Sequence, residues 1–579
     1  MAKEADNVRH GKRTGGWVAT ALDGIQMTLP LINEKRIKII VNGGGLNPEG
    51  LATKVHELRF DLRVAFVNGD DLMYKLSQLL ASREEISLEH LDSANAKVTL
   101  AKDSLAFLQD PERMPVVAAN AYLGYRAIKR GLDAGADIII CGRVADASPV
   151  IAAAAWWYGW SESDFDQLAG ALVAGHLIEC STYVTGANFS GAYKHPVADF
   201  IDLGLPIAEV ASSGECIITL HGSLNGFVTE DTVRCQLLYE LQGNIYLNSD
   251  VKADLCQIKA KQLSKNRVHV SGILGHPPPP TTKLAVFYKA GYQCEILINA
   301  SGYATDHKWD LLEAQTRRKL EDWGAKLDIL DFQRVGVPQS NPDSQLASTT
   351  YMRIFAQSTD RSTVAKVAGA WNFNFMAHFP GMHGSLDIRT VTPTPFLGYY
   401  PAIVAQAEID EAVHILSSTS PQNRQTLYVG GPAVTEPLSA RDDYETSQPS
   451  SLGAFGPTTM RPLGDIALGR SGDKGGNVNL GLFVHTLEEW DWLRSFMTSA
   501  RLRTMMGKDW RDWYTVERVE FANIFAVHFV VYGPLGRGVS SSRLLDSLGK
   551  GFAEFIRAVH VPVPDLFFAR AHGGPESKL

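Results

Sequence analysis

The chain has 579 residues, 45% hydrophobic and 20% charged, with a formal net charge of −8. That composition is ordinary for a soluble globular protein, and the length asks for two or three folded units instead of one. A negative balance without a basic stripe argues against a nucleic-acid partner; no apolar run reaches the roughly 20 residues that span a bilayer, and the polar start lacks a secretory signal's apolar core.

Residues 1–20 read as a polar leader and 21–417 as an α/β core. Within the core, "RIKIIVNGG" (36–44) is a buried strand, an Ile/Val-rich run stopped by glycines. "NPEGLATKVHELRF" follows as a helix, with Asn47 as N-cap and Pro48 at the first helical position. "LRVAFVNGDD" (62–71) and "DIIICGR" (137–143) are two more strands, with an amphipathic helix over 121–136 before the second. Strand, helix and strand in this order predict a mainly parallel sheet, with ligands beyond the carboxyl ends of its strands. From about 205 to 300 short alternating runs predict an additional, more antiparallel portion. Pro277 to Pro280 form a stiff extended connector, and "WDLLEAQTRRKLEDWG" restores helix.

Residues 418–461 are rich in Ser, Pro, Thr and Gly and read as a linker. The stretch 462–565 alternates strands and helices as a compact α+β unit, and 566–579 reads as an exposed tail. The last three residues, Ser577, Lys578 and Leu579, form a peroxisomal address, so peroxisomal location and an import receptor as partner are expected.

Four stretches could carry chemistry. In "NGDDL", Asp70 and Asp71 close a strand, where one carboxylate suits a functional role and the other a helix cap. In "CGRVADASP", Arg143 can present a planar fork to an anion and Asp146 can orient it or accept a proton; a buried ion pair is the plainer alternative. In "GHLIECSTY", His176 and Glu179 share a helix face, which suits an acid/base pair or a metal pair whose third ligand has no evident source. Cys180 beside them reads first as a small buried hydrophobe, and the six cysteines form no CxxC pair. "RSGDKGG" (470–476) is neither a P-loop nor GxGxxG, and its composition fits a polar hairpin turn as well as an anion-holding loop.

In order, "VNGGGLNPEGLA", "NGDDL", "ANAYLGYRAIKRGLDAGADIIICGRVADAS", "AGHLIECSTYVTGANFSG" and "GRSGDKGGNVNLG" resemble the acyclic terpene utilisation (AtuA) family. "HPPPPTTKLAVFYKAGYQCEILINASGYA" is similar to its fungal-type members. The likeness spans roughly residues 20 to 560. It implies an AtuA α/β core and a small ferredoxin-fold domain starting near Arg461 whose signature is "RSGDKG". Two departures stand out: a first glycine-rich strand and helix of the family is expected to be missing or shortened, and Gly476 stands where the family pattern has aspartate.

The resemblance implies work on a branched or unsaturated acyl-CoA or related carboxylate. A lyase or hydratase is favoured, because no nicotinamide or flavin fingerprint appears; cofactor and metal are otherwise open. A tailoring enzyme of specialised metabolism and a non-catalytic acyl-CoA-binding subunit are the alternatives, and a homo-oligomer is an open option. Asp71, Asp146, Glu179, Asp473 and Lys474 are the candidate catalytic groups. Asn47, Arg143, His176, Arg470 and Ser471 are the candidate substrate-binding groups. Asp71, Arg143 and Asp146 are expected in one crevice, and the "RSGDKGG" loop is expected to face the main domain across a shared pocket.

Overall fold

A computed structural model describes residues 15–571 except 59, 77–87, 101–105, 385–386 and 418–422. Most of the expected leader, the tail beyond 571 and the Ser577-Lys578-Leu579 triplet lie outside these residues; Leu566–Ala571, expected in the tail, form a short helix.

Helix α1 (Ala19–Lys35) precedes strand β1 (Ile39–Val41) and buries Ile25, Leu29 and Ile32. Helix α2 (Pro48–His56) begins as expected, Asn47 Oδ1 accepting from the Gly50 amide at 2.9 Å. Strands β2 (Val64–Asn68), β3 (Val116–Ala121) and β4 (Ile138–Cys141) follow, with helix α3 (Arg126–Asp133) between the last two. Strand β4 lies between β1 and β2 and pairs parallel with both. Side chains of α1 and α2 pack with Phe66 and Ile140 over one face of this sheet.

Parallel pairing among the described strands stops there, so the expectation of a mainly parallel core is corrected. Strand β2 pairs antiparallel on its other side with a strand at Ala412–Leu416, which in turn pairs antiparallel with Arg424–Tyr428. Strand β5 (Thr281–Ser301) is the spine of the mixed portion: antiparallel to β3 over Leu284–Tyr288, to β6 (Thr349–Ser358) over its second half, and to β7 (Thr394–Ala405) over its first. Helices Thr305–Asp322 and Arg361–Phe373 cover the second half of β5 and close a separate apolar cluster around Trp309 and Ile354.

The last unit is an antiparallel sheet in the order β8–β9–β11–β10, built from β8 (Leu468–Lys474), β9 (Asn477–Phe483), β10 (Thr515–Phe521) and β11 (Ala526–Tyr532). One face packs on helices Leu487–Phe496 and Ser499–Met506 through Trp490, Trp492 and Phe496. The other contributes Leu468, Phe483, Val519 and Phe521 to the large core of the main unit. All seven residues of β9 are buried, as a strand covered on both faces requires.

The stretch expected as a linker is corrected in the same way. Arg424–Tyr428 form a sheet strand, and the residues after them run as a strap bonded to both units. Glu436 pairs with Lys252 at 2.8 Å, Asp442 accepts from Asn244 at 2.8 Å, and the Tyr444 amide donates to the Arg518 carbonyl at 2.9 Å. Polar composition misled because this strap bonds both neighbours through its side chains and through scattered amides, such as that of Glu436 to the Pro278 carbonyl at 2.9 Å, and not through a ladder of its own. Among the described residues no helix is long and apolar enough to cross a membrane.

Candidate functional site

A cavity of about 180 Å³ opens where the two units meet. Tyr122 enters it from the end of β3, Ala145 and Asp146 from the turn after β4, and Lys283 from β5. Tyr399, Pro401 and Ile403 come from β7, and Leu438 and Arg441 from the strap. The small unit adds Lys474, Gly475 and Asn477, and Glu240 with Tyr246 closes the floor. Leu91, Ile245, Leu247 and Pro279 complete walls that are largely apolar.

The "RSGDK" residues are not a loop. They are the second part of β8, paired residue for residue with β9 from Leu468↔Phe483 to Lys474↔Asn477, and only Gly475 and Gly476 turn. Strand alternation then explains which of them reach the main unit. Arg470, Gly472 and Lys474 share one face, where a Cβ at Gly472 would sit 2.2 Å from Tyr239 Cε2. Glycine there lets the strand lie against Tyr239. Lys474 Nζ donates to Glu240 Oε2. Burial alone would lower the Lys474 ammonium and raise the Glu240 carboxyl. Their mutual attraction outweighs burial on both sides, raising Lys474 and lowering Glu240. Both are therefore charged at neutral pH.

Arg470 and Ser471 do not line the cavity. The Arg470 guanidinium is buried between the rings of Tyr183 and Tyr239, 4.4 and 4.7 Å from their centroids, and Nη1 donates to the Asn188 carbonyl. On the opposite face of β8, Ser471 Oγ accepts from the Ala553 amide at 2.8 Å. Both fix the hairpin. Asp473 is also off the lining, its carboxyl raised by burial and then by Glu240.

His176 and Glu179 stand one layer behind the floor. The His176 ring meets Tyr246 edge-on at 5.0 Å, and Nε2 faces the Gln236 and Leu237 carbonyls at 3.0 and 3.2 Å. Two acceptors there require the hydrogen on Nε2. Nδ1 lies 3.4 Å from Glu179 Oε1, and burial raises the Glu179 carboxyl. Cys180 is pushed up to about 11 by burial and stays a thiol at neutral pH.

The expected shared crevice of Asp71, Arg143 and Asp146 is not formed. Asp146 opens on the interface cavity, whereas Asp71 opens on a second cavity of about 390 Å³ beyond the ends of β1 and β2, with Asn47, Asp70, Asn120 and His414. Consecutive residues leave a strand end in opposite directions, so Asp70 turns inward and Asp71 outward. Asp71 Oδ1 accepts from the Met73 amide at 2.9 Å and caps that turn. Asp70 is buried, accepts from Asn120 Nδ2 and the Arg143 amide at 2.9 and 3.1 Å, and is pushed up to about 6 by burial. Asn47 spends its amide on the helix cap and on the Gly15 carbonyl at 3.1 Å. Arg143 reaches Asp146 at 3.6 Å and lies over the Tyr122 ring, 4.6 Å from its centroid.

Of the ten candidate residues, Asp146 and Lys474 line the interface cavity. Tyr122, Lys283, Glu240, Tyr246 and Arg441 line it as well and were not candidates. Lys283 carried a signal: it is the single charge in the otherwise strand-like "TTKLAVFY". Among the described residues no group of three or more His, Cys, Asp or Glu side chains is arranged to hold a metal ion.

A family model described as "Acyclic terpene utilisation family protein AtuA" matches residues 1–415. A second, described as "AtuA ferredoxin-like domain", matches residues 461–562. No curated protein and no solved structure matches the chain.

Proposed function

The chain belongs to the acyclic terpene utilisation (AtuA) family, and from that premise we propose that it is an enzyme acting on a branched acyclic acyl group, as a thioester or free carboxylate, in the interface cavity. One observation carries the reading. The walls are apolar over most of their surface, yet Lys283 lines them with only the Tyr122 ring against it and no carboxylate or hydrogen-bond partner for Nζ among the described residues. The other lining cations are matched, Lys474 by Glu240 and Arg441 by Asp92 at 3.5 Å. The ammonium's N–H donors have no acceptor there, and a ligand that brings one negative oxygen on an aliphatic body supplies it. A lyase or hydratase is the favoured class, since such a site stabilises charge developing on an acyl oxygen.

Comparing the metabolites of a strain lacking the gene with its parent tests this without a guess at the substrate. A branched acyclic acid or its thioester should accumulate, and a Lys283→Met copy should fail to clear it. A profile unchanged by the deletion overturns the reading. Accumulation that the Lys283→Met copy clears moves the anchor elsewhere.

Peroxisomal import through Ser577, Lys578 and Leu579 belongs to the same proposal. A fluorescent protein fused at the N-terminus should mark peroxisomes and turn cytosolic when Leu579 is deleted. Diffuse signal from the intact fusion removes the peroxisome from the proposal.

A further inference from the structure

We propose that Tyr122 is the proton-transfer residue of the interface cavity, acting as a phenolate with the Lys283 ammonium and the Arg143 guanidinium against its ring. It rests on the acyl reading for its substrate but not for its test.

The geometry begins with register. Strand β3 pairs antiparallel with β5 so that Ala121 faces Leu284, which sets Tyr122 opposite Lys283. Cross-strand neighbours at that spacing touch, and Lys283 Nζ lies 4.0 Å from the Tyr122 ring centroid. The turn after β4 is tied to the same point: the Leu123 amide donates to the Arg143 carbonyl at 3.3 Å and the Ala145 amide to the Leu123 carbonyl at 2.8 Å. That contact brings Arg143 over the ring. Tyr122 itself is pinned, its amide donating to the Lys283 carbonyl at 2.9 Å and its carbonyl accepting from Ser249 Oγ and Thr282 Oγ1 at 2.6 and 2.8 Å. Among the described residues nothing hydrogen-bonds Tyr122 Oη, so it is free for a ligand. This is a reactive group on rigid strands, with its backbone satisfied and its tip unsatisfied.

The charged and titratable groups around it agree. Burial alone would push the Tyr122 phenol up, but Lys283 and Arg143, with Lys474 further off, outweigh burial and the opposing Asp146, and hold it below the usual phenol range. The neighbouring Tyr399 goes the other way, raised by burial and then by Tyr122 itself. Tyr246 is raised by burial, with Glu179 adding to it. Of three phenols lining the cavity, one is placed to ionise.

In the step assigned to it, the phenolate oxygen takes a proton from the carbon next to the acyl carbonyl. The C–H bond breaks, the Oη–H bond forms, and the electron pair moves onto the acyl oxygen, whose charge the Lys283 ammonium meets. The electron pair then returns to form a C=C bond as the C–O bond to a hydroxyl on the next carbon breaks; the departing hydroxyl takes the Oη proton, leaves as water and restores the phenolate.

The test needs no substrate. Tyrosinate absorbance of the purified protein, followed with rising pH, should show one of the 18 tyrosines ionising ahead of the rest. Tyr122→Phe should remove that early step. Lys283→Met should move it up by roughly one pH unit or more, whereas Lys283→Arg should leave it nearly in place. Tyr399→Phe, with Tyr122 intact, should keep it. An early step that survives Tyr122→Phe, or that ignores Lys283→Met, overturns the proposal. If Tyr122→Phe does not fold, the Lys283 pair and Tyr399→Phe still decide. A negative titration leaves the metabolite experiment, and hence the acyl reading, standing.

Discussion

Replacing Lys474 with methionine should lower product in vivo by about 10-fold or more, because Lys474 lines the cavity and adds to the cations that hold the Tyr122 phenol down, while the protein stays folded. Lys474 joins the two units at the cavity and its Nζ meets Glu240, so removing it leaves a carboxylate without its cation. The lysine side chain is 31% exposed, which moderates the cost, and a stability loss of about 1 kcal/mol is expected. Its pH dependence has a definite sign. Glu240 is lowered in the folded state, so its share is present above the ordinary carboxyl value of 4.5 and is lost as pH falls through the lowered one. Lys474 is raised, so its share is present below the ordinary lysine value of 10.5 and is lost as pH rises through the raised one. The stability gap between wild type and Lys474→Met should therefore be widest between those values and close on acidification. Adding Glu240→Gln should recover stability without recovering product, because it removes the stranded charge and not the missing cation. Unchanged product from a stable Lys474→Met protein would reduce the hairpin to a structural contact.

Much of the local structure was legible because single residues dictate it. Asn47 and Pro48 opened a helix where cap chemistry said they would, and the Ile/Val run before the "NGG" turn gave a strand. The helix expected over 121–136 begins only at Arg126, because Ala121 closes β3 and Gly124 lies so close against the Asp250 carboxylate that a Cβ would fall 2.0 Å from Oδ2. "RSGDK" looked like a loop because glycine and charge dominate it, yet its glycines serve close approach inside a strand. The parallel sheet was overestimated for a different reason. Its next strand, Ala412–Leu416, arrives more than 340 residues after β2, and no local period announces a partner that distant. Tyr122 and Lys283 are hidden in the same way, since the register that opposes them is a property of pairing and not of either stretch alone. Local chemistry marked Lys474 and Asp146; long-range register supplied the rest.

Arg518 should be the most destabilising single position in the small unit, and for reasons unrelated to catalysis. Its side chain has no exposed surface, although it sits on β10 with a full charge. Nε donates to the Met497 carbonyl at 2.8 Å, Nη1 to the Tyr444 carbonyl at 3.1 Å, and Nη2 to the Arg494 carbonyl at 2.9 Å. Glu520 lies 2.9 Å from Nη2 and Glu445 lies 3.5 Å from Nε. One guanidinium thus ties the helix Leu487–Phe496, its following turn and the strap to the sheet. Methionine would fill the volume but leave the Met497 and Tyr444 carbonyls without this donor and Glu520, still held by Thr446 Oγ1 at 2.6 Å, without its cation, at a cost of about 3–5 kcal/mol. Lysine keeps the charge but lacks the planar fork, so it should recover only part of that loss. The strap should respond first, because its hold at Tyr444 and Thr446 passes through this side chain. Limited proteolysis of Arg518→Met should therefore cut within residues 430–450 well before wild type is cut there, with the main unit persisting as a resistant fragment. Equal resistance in the two proteins would mean that apolar packing of Val519 and Phe521 into the large core, and not the arginine, holds the small unit in place.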